Sequence, residues 1–331
     1  MPSKPYLIAG IFIVGFCVGF WSSLFNLDRD IVKGISPFRE KDNNYEFINP
    51  LLFYEIPNGV NLKEFDSLVR NVRGTIDNFV RAGNERKTSF YFRDLNRGQW
   101  VGINENERYT PSSLLKVVVM IAYFKEAESR PSIFSNKILF SEEIAGLIGS
   151  IPHDKGTELD IGQKYSVSDL IKKMIIQSDN GATYALLSEV NDKLLDQIYS
   201  DLELENPGDA GRTYTISPQD FVPFLRILYN ATYLNREMSD RALALLSQTN
   251  FQDGIAAGIP RSIKIAHKYG ETVSGSEENV DFIELHDCGI VYYPDKPYLL
   301  CIMSRGEKLE VLSSVMKDIS ETVYSHVSSS K

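Results

Sequence analysis

The chain has 331 residues, 43% of them apolar, and a formal net charge of −9. That supplies a core for one large domain or two modest ones and rules out wholesale disorder. The acidic balance argues against a nucleic-acid partner, and four scattered histidines (His153, His267, His286, His326), with no HExxH and no cysteine cluster, offer no metal site.

Tyr6 through Phe25 carries no charge. A helix of that length, at about 1.5 Å per residue, spans a bilayer core of about 30 Å. Lys4 precedes it, which favours a cytoplasmic N-terminus, and Trp21 lies near the far interface. We therefore expect a single-pass anchor over residues 1–25, with the rest of the chain extracytoplasmic at the cell membrane. A cleavable signal peptide is the alternative, although its small-x-small site is weak. Phe16 before Cys17 speaks against lipid attachment.

Residues 26–60 read as a juxtamembrane linker (Asp28 to Asn44) and an apolar packing segment (Tyr45 to Ile56) broken by Pro50. The main domain is expected over 61–331. From Leu62 to Ala82, apolar residues at Leu62, Phe65, Val69, Val72, Ile76 and Phe79 trace one helical face, with Asn61 as cap. Ser89 to Asp94 and Gln99 to Ile103 predict a hairpin. Ser113 then opens a predicted helix to about Ala127. A mostly helical middle includes Val167 to Ile176, a helix from Gly181 to Val190, and another from Asp192 to Glu203. Ser217-Pro218-Gln219-Asp220 is a strong helix start. Strands return over Ile263 to Tyr269, Phe282 to Tyr293 and Tyr298 to Ser304, and Glu307 to Val327 closes as an amphipathic helix. The expected fold is α+β: an antiparallel sheet flanked by terminal helices, with an inserted all-helical lobe. Cys288 and Cys301 fall on neighbouring predicted strands. Separation alone cannot fix disulfide geometry, so they read as two buried thiols, with pairing left open.

Within this order, Ser113-Leu114-Leu115-Lys116 places a hydroxyl and an amine on one face of a helix, about 5–6 Å apart at Cβ. A buried lysine can act as a base toward such a serine. The helix N-terminus adds partial positive charge where an oxyanion would form. One SxxK is expected by accident in a chain this long. A second, Ser314 to Lys317, lies on the closing helix and reads as a solvated face. The first has company: Ser178-Asp179-Asn180, then Lys268-Tyr269-Gly270.

The order SxxK, SDN, K-x-G resembles the class A β-lactamase and penicillin-binding protein superfamily. The likeness covers about residues 62 to 327 and is closer to class A. It implies Ser113 as nucleophile, Lys116 as its base, and Ser178 as proton relay to the leaving nitrogen. It implies Asn180 on the acyl side chain and Lys268 as attractor of the substrate carboxylate. The N–H groups of Ser113 and Glu271 would form the oxyanion hole, and Gly270 would leave the strand edge open. No metal or organic cofactor is implied, and a monomer is expected. The substrate would be a β-lactam or a cell-wall peptide. Two departures stand out. Tyr269 occupies the place of a small hydroxyl residue. The acidic loop before the K-x-G strand is short, with only Glu205 and Asp209 as candidate acids, both reading as exposed loop residues. The expectation is a serine hydrolase that β-lactams acylate and that deacylates slowly. The alternatives are a D-Ala-D-Ala peptidase or transpeptidase, or a non-catalytic wall-binding module.

Overall fold

Two helices from opposite ends of the domain, each apolar along one face, share one side of a single sheet. This computed structural model describes residues 36–40, 45–55, 62–81, 85–148, 156–210, 214–275 and 280–330. The expected anchor Tyr6 to Phe25, most of the linker after it, and Asn61 lie outside the described residues. Among the described residues no helix is long and apolar enough to cross a membrane.

In chain order, β1 (Ser36–Arg39) pairs antiparallel with β2 (Leu51–Glu55). A 3-10 turn, Leu62–Phe65, leads into α1 (Asp66–Arg81), which buries Leu68, Val72 and Ile76. The hairpin β3 (Glu85–Asp94) and β4 (Trp100–Ile103) follows. A second 3-10 turn, Ser112–Leu115, runs into α2 (Lys116–Ala127). The lobe continues through β5 (Lys137–Leu139), α3 (Glu142–Ile148), β6 (Lys164–Ser166) and α4 (Val167–Lys172). After a π-turn, Lys173–Gln177, come α5 (Asn180–Leu187), α6 (Asp192–Asp201), the single turn α7 (Pro207–Ala210), α8 (Pro218–Tyr229) and α9 (Arg236–Leu246). The chain ends with β7 (Ile265–Gly275), β8 (Val280–Val291), β9 (Tyr298–Gly306) and α10 (Leu309–Ser329).

Helix starts follow their caps. The side chains of Ser166, Asp179, Asn191, Ser217 and Asn235 each accept the N–H three residues on, relieving a donor the helix leaves unpaired. α2 is apolar nearly all round and is correspondingly buried. One expectation needs correction: Ser113 does not begin the α-helix but sits in the 3-10 turn before it. The left-handed backbone of Ser112 (φ 50°) and the proline before it tighten this entry.

The main sheet is antiparallel with strand order β4-β3-β9-β8-β7. Its period of two sends alternate residues to two cores. On β9, Leu300 and Ile302 join α1 and α10, while Leu299, Cys301 and Met303 face the helical lobe. Cys288 and Cys301 are directly paired across β8 and β9, with Cα atoms 3.9 Å apart, and form a disulfide. The reading of two separate thiols is thus overturned, because strand register, invisible in the spacing, puts them opposite each other.

Part of the packing segment lies against the domain; Ile56 is outside the described residues. Phe47 and Ile48 are buried. Asn49 and Leu51 donate their N–H groups to the carbonyls of Tyr229 and Asn230 at the end of α8. Arg39 binds the Asn230 side chain at 3.0 Å and the Leu95 carbonyl at 2.8 Å.

Candidate active site

The segment before Ser113 is held from beneath by β8. The Thr110 N–H donates to Glu284 Oε2 at 3.0 Å, and the Thr110 carbonyl lies 3.0 Å from His286 Nε2. A carbonyl only accepts, so Nε2 carries the proton. Burial pushes the His286 imidazole down to about 4, which keeps the ring neutral. Glu284, fully buried, is balanced by Arg305 at 2.7 Å. The Ser112 hydroxyl donates to the Glu271 carbonyl at 2.6 Å, docking the turn on the edge of β7. Contact is close there. A Cβ on Gly270 would lie 2.8 Å from the Pro111 carbonyl oxygen and 3.3 Å from the nitrogens of Ser113 and Leu114. Glycine is what allows strand and turn to meet.

Ser113 is half-buried, and its carbonyl accepts the Lys116 N–H where the turn runs into α2. Lys116 is buried at 5% exposure. Its Nζ donates to the Ser178 carbonyl at 2.5 Å, to Ser178 Oγ at 3.2 Å and to Asn180 Oδ1 at 2.6 Å. Ser178 stands between the π-turn and α5 with a left-handed backbone (φ 60°). Asp179 caps α5 through Ala182 N at 2.7 Å and accepts from the Thr157 hydroxyl at 2.8 Å. The acid of the triplet thus holds the backbone that presents its two neighbours to the lysine.

Lys268 is fully buried. Its Nζ donates to Ser178 Oγ and to the Tyr269 carbonyl, both at 2.9 Å. Ser178 Oγ therefore sits between the Nζ atoms of two lysines. The Tyr269 ring centroid lies 4.2 Å from Lys268 Nζ, and the ring stacks on Phe251 at 4.2 Å with 15° between planes. His267 is buried against Asp287 at 2.9 Å, a strand residue as expected.

Ser113, Lys116, Ser178, Asn180, Tyr269 and Glu271 line one cleft of about 1300 Å³. Its far wall is α6, which contributes Asp192 and Asp196; Asn206 binds the Asp196 carboxylate. The sequence reading missed these two acids because they look like the solvated face of a helix. Their spacing of four already placed them on one face, but nothing local showed which way it turns. Of the loop acids named instead, Glu205 is exposed and is not among the cleft residues. Only the backbone of Asp209 is described, in α7. Ser314 and Lys317 are both exposed on α10, as expected of a chance motif. Among the described residues no group of three His, Cys, Asp or Glu side chains could hold a metal.

The sequence matches the beta-lactamase enzyme family over residues 71–327. The chain belongs to that family. That is a family of β-lactamase-like serine hydrolases, and membership agrees with the α+β fold above. The solved structure of PBP-A is similar at 22% identity and a TM-score of 0.63, covering 78% of this chain and 96% of that one. A point variant of PBP-A, solved as an acyl-enzyme complex with penicillin G, is 21% identical with the same TM-score and coverage. The TLA-1 extended-spectrum β-lactamase is 18% identical with a TM-score of 0.67, covering 80% of this chain and 99% of that one. A β-lactamase from Xanthomonas campestris is 20% identical with a TM-score of 0.64, covering 78% and 98%. At these identities the structures speak for the fold. No curated protein matches the sequence.

Proposed function

We propose that the protein is an active-site serine acyl transferase, anchored in the cell membrane with its domain outside, that forms an acyl-enzyme on Ser113 with β-lactam amides. One observation carries this reading: Ser178 Oγ lies within hydrogen-bond reach of both Lys116 and Lys268, and Ser113 lines the same cleft. Lys116 would take the proton of Ser113 as Oγ attacks the amide carbon. The proton would then pass through Ser178 to the leaving nitrogen, as the C–N bond breaks. The N–H groups of Ser113 and Glu271 would receive the developing oxyanion, one from the turn and one from the strand edge.

Deacylation is proposed to be slow. The short segment between α6 and α8 brings no glutamate to the cleft; the cleft glutamates among the described residues are Glu158 and Glu271. Glu158 is exposed and paired with Lys173 at 3.2 Å. The same shortness favours a second reading, a peptidase or transpeptidase on cell-wall peptides, since a bound amine could accept the acyl group in place of an activated water. The location outside the membrane is supported by the Cys288–Cys301 disulfide, a bond favoured in oxidising compartments.

Intact-mass measurement after adding benzylpenicillin tests the proposal. A persistent adduct on the wild-type protein, absent from Ser113→Ala, is the expected result. Rapid penicillin loss without an adduct would defeat the slow-deacylation part; no reaction at all would defeat the whole.

A further inference from the structure

We infer that the β7 wall of the cleft selects acyl donors whose leaving group ends in a neutral amide or ester rather than a free carboxylate. This deepens the reading of Ser113 as nucleophile and rests on it. A C-terminal residue has an anionic leaving group, whereas a bond inside a peptide has a neutral one. The selection therefore favours internal or amidated peptide bonds; among β-lactams it slows, without abolishing, acylation by those with a free carboxylate beside the leaving nitrogen.

Three observations carry the inference. First, the Lys268 ammonium is turned inward. It has no exposed surface, and it donates to Ser178 Oγ and the Tyr269 carbonyl, both at 2.9 Å. The Tyr269 ring stands 4.2 Å away on the same cation. An ammonium has three N–H donors, so a substrate carboxylate would have to displace one of these contacts. Lys268 is not among the cleft-lining residues, whereas Tyr269 is. The ring covers a cation that a small residue would leave accessible. Second, the ring is fixed: it lies nearly parallel on Phe251, at 4.2 Å, and swinging aside would break that stack. Third, the next side chain along the wall is the carboxylate of Glu271, with Asp192 and Asp196 across the cleft. Half-buried Glu271 repels an incoming anion, and the exposed Asp192 and Asp196 add a weaker, solvent-screened repulsion. An uncharged leaving group meets an aromatic face and suffers no such penalty.

The test uses two thioesters with the same acyl part, N-benzoyl-D-alanyl thioglycolate and its thioglycolamide. In each, the bond from Ser113 Oγ to the acyl carbon forms, the acyl–sulfur bond breaks, and the serine proton leaves on the thiol. Thiol release gives the rate, and intact mass confirms acylation at Ser113. The carboxamide donor is expected to acylate faster than the carboxylate donor. Tyr269→Thr should move the ratio toward the carboxylate by about tenfold, the effect of one charge-assisted contact, while Tyr269→Phe keeps the wild-type ratio. Equal wild-type rates, or a preference for the carboxylate donor, overturn the inference even if Tyr269→Thr does not fold, and leave Ser113 standing as nucleophile. An unshifted ratio in folded Tyr269→Thr removes the assignment to Tyr269. Failure of both donors to acylate Ser113 overturns the nucleophile reading and this inference together.

Discussion

Gly270 and His286 each help to hold the Ser113 turn without lining its cleft. Gly270→Ala would push a methyl into the Pro111 carbonyl and the Ser113 amide. The clash is with backbone, which cannot rotate away. We expect a folded protein whose penicillin acylation falls by at least about tenfold, read by adduct formation against a melting curve. His286 gives a pH prediction. Its ring is neutral in the folded state down to about 4, whereas in the unfolded chain it takes a proton near 6.5. Below pH 6.5 the unfolded state therefore binds more protons, so stability is full above 6.5 and falls as pH drops toward 4. The loss is roughly 3 kcal/mol. Denaturant titrations across that window should show it, and His286→Gln should flatten it; Glu284 and Arg305 face the same ring and remain in both proteins. The three motifs were legible at this scale because residue type and order mark them, and the fold brings their side chains together. The grip of Glu284 and His286 on Thr110 was not, since it joins positions 174 and 176 residues apart.

Among elements, those with a strong period match the sequence reading well. α1 and α10 show their buried faces as apolar residues three and four apart, and the hairpins follow from alternation and turn residues. The entry to α2 was misread because propensity does not distinguish a 3-10 turn from the first turn of an α-helix. The Cys288–Cys301 pair was missed because it depends on register between β8 and β9. Both sulfurs lie in the core with no exposed surface. We expect thiol-reactive reagents to leave both cysteines unmodified in the native protein, even with mild reductant, and to label them after unfolding in reductant. Breaking the link by Cys288→Ala with Cys301→Ala should cost about 3 kcal/mol for a loop of this size, measured as a lowered denaturation midpoint.

For the whole molecule, the hairpin of β1 and β2 belongs with the domain. A chain beginning at residue 62 would lose the burial of Phe47 and Ile48 and the Arg39 bonds. It should be less stable by at least about 3 kcal/mol than one beginning at residue 36. Comparison of their thermal midpoints checks this. The layer order of the sheet was legible only as a class, because sequence order does not say that β3 meets β9. That adjacency shapes how the molecule is made. Thr88 and Ser304 share a buried hydrogen bond across 216 residues. As the polypeptide is synthesised from its N-terminus, the β3–β4 hairpin must wait, one edge bare, until nearly the last strand has been released. The helical lobe, whose contacts are more local, is complete well before then. Newborn chains should therefore pass through a long half-finished stage that holders of nascent protein would protect, and premature stops before β9 would leave an edge prone to stick to its own kind.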